Sequence, residues 1–341
     1  MIEVLRPGRF TTVQDLGRTG CGHLGVPGSG AADAFDLRMA NRLVGNPESD
    51  AALELTAEGP TLRFAEAAFV ALTGGSAEAL LDGEPAPMYQ TLAVKAGSTL
   101  ACGRISQGWR AYLAVAGGIE TDTTLGSRSR DTLSALGPEA LVAGASLATG
   151  DAPASAPAFY LRSPPRYGHA IRLRVMAGPQ QDWFGPEALL HLRQETYRVQ
   201  AQSDRIGVRL DGASLERSRA QELPSMGMVT GAVQVPASGQ PIALLADHGA
   251  TGGYPVIAVV IAADLPLLAQ LPPGAEVRFS EVRREEALAA AREQAARFER
   301  DLVAADAGLL AARALMSLAG GHASLRQAAI SDGKRRIRIR K

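Results

Sequence analysis

Residues 243–260 read ALLADHGATGGYPVIAVV, an Asp-His pair and a Gly-Gly turn set between two apolar runs. Histidine titrates near neutrality, and a neighbouring carboxylate can orient it for proton transfer. Asp247 and His248 are therefore candidate catalytic groups, acting as general base or acid. Thr251, Gly252 and Gly253 follow at a spacing that offers backbone N–H groups to an amide oxygen gaining negative charge. Tyr254 completes that turn, and Gln234 in GAVQVP adds a side-chain amide. Upstream, SDRIGVRLDG carries Arg205 and Arg209, whose planar guanidinium groups suit a bidentate grip on a substrate carboxylate. The same Asp-His-Gly-Gly break also serves as plain punctuation after a barrel strand, and the residues alone leave both readings open.

A second polar cluster lies near the start. VQDLGRTGCGHLGVPGSGAAD places Asp15, Arg18, His23, Ser29 and Asp33 among six glycines. It reads either as a polar loop folded over a pocket or as a long loop whose Ser29 or Asp33 caps the next helix. On the first reading Asp15, Arg18, His23 and Ser29 are substrate-binding candidates. The string GCGHLG fits the dinucleotide pattern GxGxxG, but VPGSG follows it, so no helix begins where a pyrophosphate would need one. The chain has no GxxxxGK[ST], HExxH or GxSxG segment. His23, His169, His191, His248 and His322 show no metal-ligand spacing, so no metal site is expected. Cys21 and Cys102 are too few for a disulfide or metal framework, and buried or incidental thiols are expected.

Positioning these residues requires a scaffold of short strands. AFVALTGG, AEALLDGEPA, QTLAVKAGSTLACG and WRAYLAVAGGI follow one another with glycine at the breaks, and Asp82-Gly83 suits a tight hairpin. One helix interrupts them, DAFDLRMANRLVGN. The stretch 151–165 is rich in Pro, Ala and Ser and reads as a linker between an N-terminal β-rich domain (1–150) and a β-barrel domain (166–283). Within the second domain PEALLHLRQETY and DLPLLAQL read as short helices. From 284 to 333 an Ala/Glu/Arg/Leu-rich helical tail is expected, with Leu288, Ala291, Ala295, Phe298 and Leu302 on one face. Residues 334–341, KRRIRIRK, read as a basic disordered end. The fold class is thus mainly β with short helices, in two barrel-type domains with a C-terminal helical extension.

Thirty-five basic residues balance thirty-five acidic ones, which argues against nucleic acid or an anionic membrane as partner. The longest apolar run, VIAVVIAA, is too short to span a bilayer. The opening MIEVLRPGRF lacks a signal peptide's apolar stretch, and a cytoplasmic location is expected.

Several segments in order, VQDLGRTGCGHLGVPGSGAAD, LRMANRLVGNPESDAALE, WRAYLAVAGGIETDTTLGSRSRDTLSALG, SDRIGVRLDG and GAVQVPASGQPIALLADHGATGGYPVIA, resemble the biotin-dependent carboxyltransferase / allophanate hydrolase subunit 2 family. The resemblance spans roughly Met1 to Val303. It implies a cyclophilin-like barrel fold and a small amide substrate. Within that family it implies the C subunit of a 5-oxoprolinase, opening the 5-oxoproline lactam to glutamate beside the A subunit and a KipI-like B subunit. ATP would be used by the complex, at a place that the resemblance does not assign. Alternatives in the same family are carboxyl transfer to a urea-like nitrogen, with biotin carried by another chain, and a non-enzymatic KipA-type regulator that binds a KipI-type kinase inhibitor. No cofactor is expected to be covalently bound, since no Met-Lys-Met attachment sequence occurs. Met226 stands where many relatives carry Glu, and His248 and Gly249 where they carry Arg and Gln, so specificity is least transferable there.

Overall fold

The computed structural model describes residues 1–152, 158–219 and 221–304. The expected continuation of the helical tail to 333 and the basic end 334–341 lie outside the described residues. The described part is mainly β, with four α-helices and two barrel-like sheets.

The N-terminal sheet has ten strands. Its path runs through Phe10–Gln14, Ala52–Thr56, Thr99–Val115, Thr61–Phe64, Ile2–Arg6, Ser146–Thr149 and Ile119–Glu120. The long strand Ala68–Leu81 pairs antiparallel with Thr99–Val115, from Val70 opposite Val115 to Leu81 opposite Leu100. The register slips between Gly74 and Ala79, and such bulges bend a ribbon so that it serves two layers. Gly74 sits at φ +92°, and a Cβ there would fall 2.6 Å from the Arg110 carbonyl oxygen, so only glycine fits. The expected hairpin forms at Asp82-Gly83: both have positive φ, 52° and 86°, and Leu81 pairs with Glu84.

The second sheet is closed by hydrogen bonds all round. Its order is Ala170–Ala177, Val256–Val260, Ala232–Gln234, Ile242–Leu244, Gly207–Asp211, Tyr197–Val199 and Glu276–Glu281. The first and last of these strands meet in parallel, Ala170 opposite Glu276 through Val175 opposite Glu281, and this seals the barrel. Leu173, Tyr197, Leu210, Val233, Ile257 and Phe279 fill its interior.

Helix α1 (Ala34–Leu43) begins at Asp33, whose side chain accepts from Asp36 N–H at 3.1 Å. It buries Leu37, Met39 and Leu43 against the two long strands. Helices α2 (Pro186–Gln194) and α3 (Leu265–Ala269) each carry proline in the first turn, where its missing N–H costs nothing. Helix α4 (Arg284–Asp301) differs from its predicted face. Leu288 is 47 % exposed, and of the expected stripe only Phe298 is buried within the helix. The reason is that α4 lies on the surface and is anchored near its end. Phe298 meets the Phe35 ring edge-on at 5.3 Å, with the Arg38 and Arg42 guanidinium groups over its own ring. At Leu302 the chain becomes a strand, Leu302–Ala304, paired antiparallel with Phe159–Leu161. No described helix is long and apolar enough to cross a membrane.

Candidate active site

Arg205 is the centre of the cluster. It is 3 % exposed and bonds three separate segments. Its Nε and Nη2 each lie 2.9 Å from the two oxygens of Asp247, its Nη1 bonds Glu54, and its Nη2 also donates to the Gly30 carbonyl at 2.5 Å. Arg205 therefore does grip carboxylates in bidentate fashion, but they belong to the protein. Burial works against its charge, while Glu54 and Asp247 more than offset that and hold the proton on.

Asp247 is fully buried and accepts from further donors. Ser29 Oγ reaches its Oδ1 at 2.7 Å, and Thr132 reaches its Oδ2 from both N–H (3.0 Å) and hydroxyl (2.7 Å). Burial pushes this carboxyl up, yet Arg205 and the Thr132 donors hold it below the ordinary carboxylate range. With five hydrogen bonds to two oxygens, Asp247 is arranged to hold loops in place, and it offers no free lone pair to a substrate proton. Glu54 completes the knot by accepting from Ala32 N–H at 2.9 Å and the Tyr112 hydroxyl at 2.8 Å. One guanidinium thus ties the loop around Ser29, strand Ala52–Thr56, the loop at Thr132 and the barrel rim together.

The remaining candidates divide. Asp15 organises its own loop, with Oδ1 accepting from Gly17 N–H and Ser127 Oγ and Oδ2 from Arg128 N–H, each at 2.7 Å. Arg18 is buried and donates to the Thr124 and Ser129 carbonyls. Ser29 sits at φ 53° and also donates to the Arg130 carbonyl at 3.0 Å. His23 is exposed on a short 3₁₀ turn, Gly22–Leu24, with Nδ1 2.9 Å from Gly20 O. That turn is where GCGHLG falls, and no α-helix begins directly after it; α1 starts only at Ala34. Arg209 is exposed between buried Val208 and Leu210, on the outside of the barrel, so the structure does not bring it to the knot.

His248 is next to the knot, 9 % exposed, with Nδ1 2.8 Å from Gly249 O. Only Nδ1–H can donate to a carbonyl, so the neutral ring carries its lone pair on Nε2, ready to accept a proton. Thr251 and Gly252 pair with Gly227 and Met226 in a two-residue ladder at the rim. Gly253 and Tyr254 are exposed beyond it, and Gln234 lies beneath with its Nε2 3.4 Å from Tyr254 O. A cleft of about 410 Å³ between α1, α4 and the barrel reaches Ser29 and Ala246 at one end. His248 thus sits beside the buried ion cluster, whereas Gln234 and Gly252 lie at the other end of the barrel strands, next to Val256.

The residues' types and spacing did not single out Glu54, Thr132 or Asp36, and marked Asp33 only as a member of the polar loop or a helix cap. A glutamate inside the apolar run ALELT was the available sign for Glu54. Asp33 and Asp36 are fully buried where the two sheets meet. Tyr167 OH lies 2.5 Å from Asp36 and 3.3 Å from Asp33, Tyr89 OH 3.0 Å from Asp36, and Gln270 Nε2 3.0 Å from Asp33. Burial pushes both carboxyls up, and the Asp33 charge raises Asp36 further, so Asp36 is the proton holder. A folded pKa above the unfolded one contributes stability at low pH that is lost as pH rises through the folded value. Between those two values this group lowers stability by about 1.4 kcal/mol per pH unit. Asp36→Asn is expected to remove that slope in urea unfolding followed from pH 4 to 9. An unchanged slope would show that Asp36 titrates alike in both states.

The family model for the carboxyltransferase domain, subdomain A and B, matches residues 24–281. The chain is 38 % identical over 303 residues to the C subunit of the 5-oxoprolinase of Escherichia coli, covering 88 % of this chain and 97 % of that protein. It is 33 % identical over 307 residues to the urea amidolyase of Saccharomyces cerevisiae, covering 82 % of this chain but 16 % of that one. Among solved structures, the K. lactis urea amidolyase superposes with TM-score 0.81 at 29 % identity over 88 % of this chain, which spans 20 % of that chain. TTHA0988 superposes with TM-score 0.76 at 39 % identity over 82 % of this chain, which spans 55 % of it.

Proposed function

Since the chain belongs to the carboxyltransferase domain family, subdomains A and B, we propose that it works as the C subunit of a 5-oxoprolinase. The observation that carries this reading is the match across 97 % of the Escherichia coli protein at 38 % identity. In this reading the complex uses ATP to open the 5-oxoproline lactam, with water supplying the oxygen that makes glutamate's second carboxylate. The lactam C–N bond breaks and the nitrogen takes up a proton. In this reading His248 Nε2 carries that proton, while Arg205, Asp247, Ser29 and Thr132 fix the segment that bears it.

In this reading ATP is used by the complex. The glycine-rich stretch 20–25 forms a 3₁₀ turn and opens no α-helix, so it does not make a phosphate cradle. The partners in this reading are the A and B subunits of the complex, and the location is cytoplasmic. The test is co-expression with those two partners and measurement of ATP-dependent glutamate release from 5-oxoproline. A well-assembled complex that releases no glutamate would count against the assignment.

A second reading is carboxyl transfer from biotin on another chain to a urea-like nitrogen. It is favoured by the superposition on K. lactis urea amidolyase at TM-score 0.81. Bicarbonate- and biotin-carrier-dependent carboxylation of urea, in place of glutamate release, is the result that would select it.

A further inference from the structure

Two glutamines share one end of the barrel. Gln234 pairs with Val256 across the sheet, and Gln180 exchanges two hydrogen bonds with the same residue: its N–H donates to Val256 O at 3.2 Å, and its Oε1 accepts from Val256 N–H at 3.0 Å. Both glutamines are 6 % exposed. Both amides meet sulfur. Gln180 Nε2 lies 3.3 Å from Met226 Sδ, and Gln234 Nε2 lies 3.3 Å from Met228 Sδ, with a further 3.4 Å contact to Tyr254 O.

The methionines belong to the ladder over the rim. Met226 pairs with Gly252, and Met228 N–H donates to Ala250 O at 3.0 Å. The cover is close. A Cβ on Gly252 would stand 2.6 Å from Gln234 Nε2 and 3.1 Å from Met228 Cγ. It is also slight, since the ladder is two residue pairs long with Gly227 and Thr251 exposed.

A thioether is a weak acceptor, and a buried amide N–H gains more from oxygen. Exchange of sulfur for a substrate oxygen is therefore favourable, and methionine's three rotatable bonds let it move aside. Neutral amides match a neutral carbonyl, whereas a carboxylate calls for a guanidinium. Arg205 lies at the other end of the barrel strands, beyond the Gly207–Leu244 pair, and is committed to Glu54 and Asp247.

We propose that Gln180 and Gln234 form the subsite for the carbonyl oxygen of the amide substrate, released for it by Met226 and Met228. This rests on the small-amide reading of the site, and the probes are chosen to separate the two. The assembled complex is titrated with 2-pyrrolidinone, a lactam without a carboxylate, and with 5-oxoproline. Gln180→Ala and Gln234→Ala are each expected to weaken both affinities about tenfold, the equivalent of one hydrogen bond. Met228→Leu keeps the shape but removes the competing acceptor, and it is expected to tighten both about threefold, a part of that same hydrogen-bond difference. A purely structural methionine would give no tightening, so this variant carries the test if either glutamine variant fails to fold. Unchanged affinities in the glutamine variants, weakening confined to 5-oxoproline, or looser binding in Met228→Leu would each overturn the subsite. So would a wild-type complex that binds no 2-pyrrolidinone. A wild-type complex that binds it but releases no glutamate would sink the reaction assignment and leave the subsite standing.

Discussion

Arg205→Met should lower stability by about 3–5 kcal/mol, the usual cost of stranding a buried ion partner. Small proteins have total stabilities of about 5–15 kcal/mol, so this is a large fraction. Methionine keeps an unbranched stem but not the guanidinium, so the loss comes chiefly from the charge and its hydrogen bonds. Asp247 and Glu54 would remain buried without their cation, and the Gly30 carbonyl would lose a donor. The pH dependence gives a sharper signature than the magnitude. In the wild type Asp247 has its folded pKa lowered, so its contribution is present at neutral pH and is lost as pH falls through the folded value. Without Arg205, burial is opposed only by the Ser29 and Thr132 donors, and the carboxyl rises. The variant's contribution from this group therefore reverses sign and improves towards acid. Urea unfolding of both proteins at pH 5 and pH 7.5 checks this. Equal stabilities, or parallel pH profiles, would show that the knot is not electrostatic.

The second large effect is on turnover. His248→Ala should reduce glutamate release by about a hundredfold or more, the usual range for a lost acid–base group. Its melting temperature should stay near that of the wild type, because the ring's one polar contact among the described residues is to the neighbouring Gly249 O. The loss should fall on kcat, with KM little changed. Asp247→Asn provides the contrast. It leaves Arg205 short of a carboxylate charge, so it should lose stability and activity together. Wild-type rates in His248→Ala would show that the Asp-His segment is barrel punctuation and that the proton moves elsewhere.

The alternation of short apolar runs and glycine breaks was enough to expect a mainly β chain, and Asp82-Gly83 even specified its turn. Those features are local, set by side-chain period and by φ. What stayed hidden was long-range. Arg205 and Glu54 lie 151 positions apart, and nothing in either neighbourhood announces the other. Ser29 and Asp247 were both marked as chemical residues, yet their 2.7 Å bond across 218 positions makes them parts of one support. The stripe on α4 misled for a related reason. Periodicity reports which face is apolar, but not whether a partner covers it along the whole length, and Leu288 has none in contact enough to bury it. Asp33 was legible only as a polar loop residue or helix cap, and Asp36 not at all, because their burial depends on Tyr167, just before the barrel, and Gln270, at the end of α3.

Strand Leu302–Ala304 has a mechanical meaning. It lies along Phe159–Leu161, which is itself bonded to the N-terminal sheet through Thr91 N–H to Phe159 O and Leu161 N–H to Tyr89 O, both at 2.9 Å. The chain thus leaves the first sheet, builds the barrel, and returns to the point of departure. The barrel is held on a closed leash rather than at the end of a string. Such a module cannot swing away by flexing one joint, and its effective concentration at the first sheet stays high even when the seam opens. Loosening at the seam would therefore be brief breathing followed by re-docking in the same pose, which keeps Arg205 in register with Glu54 through many cycles.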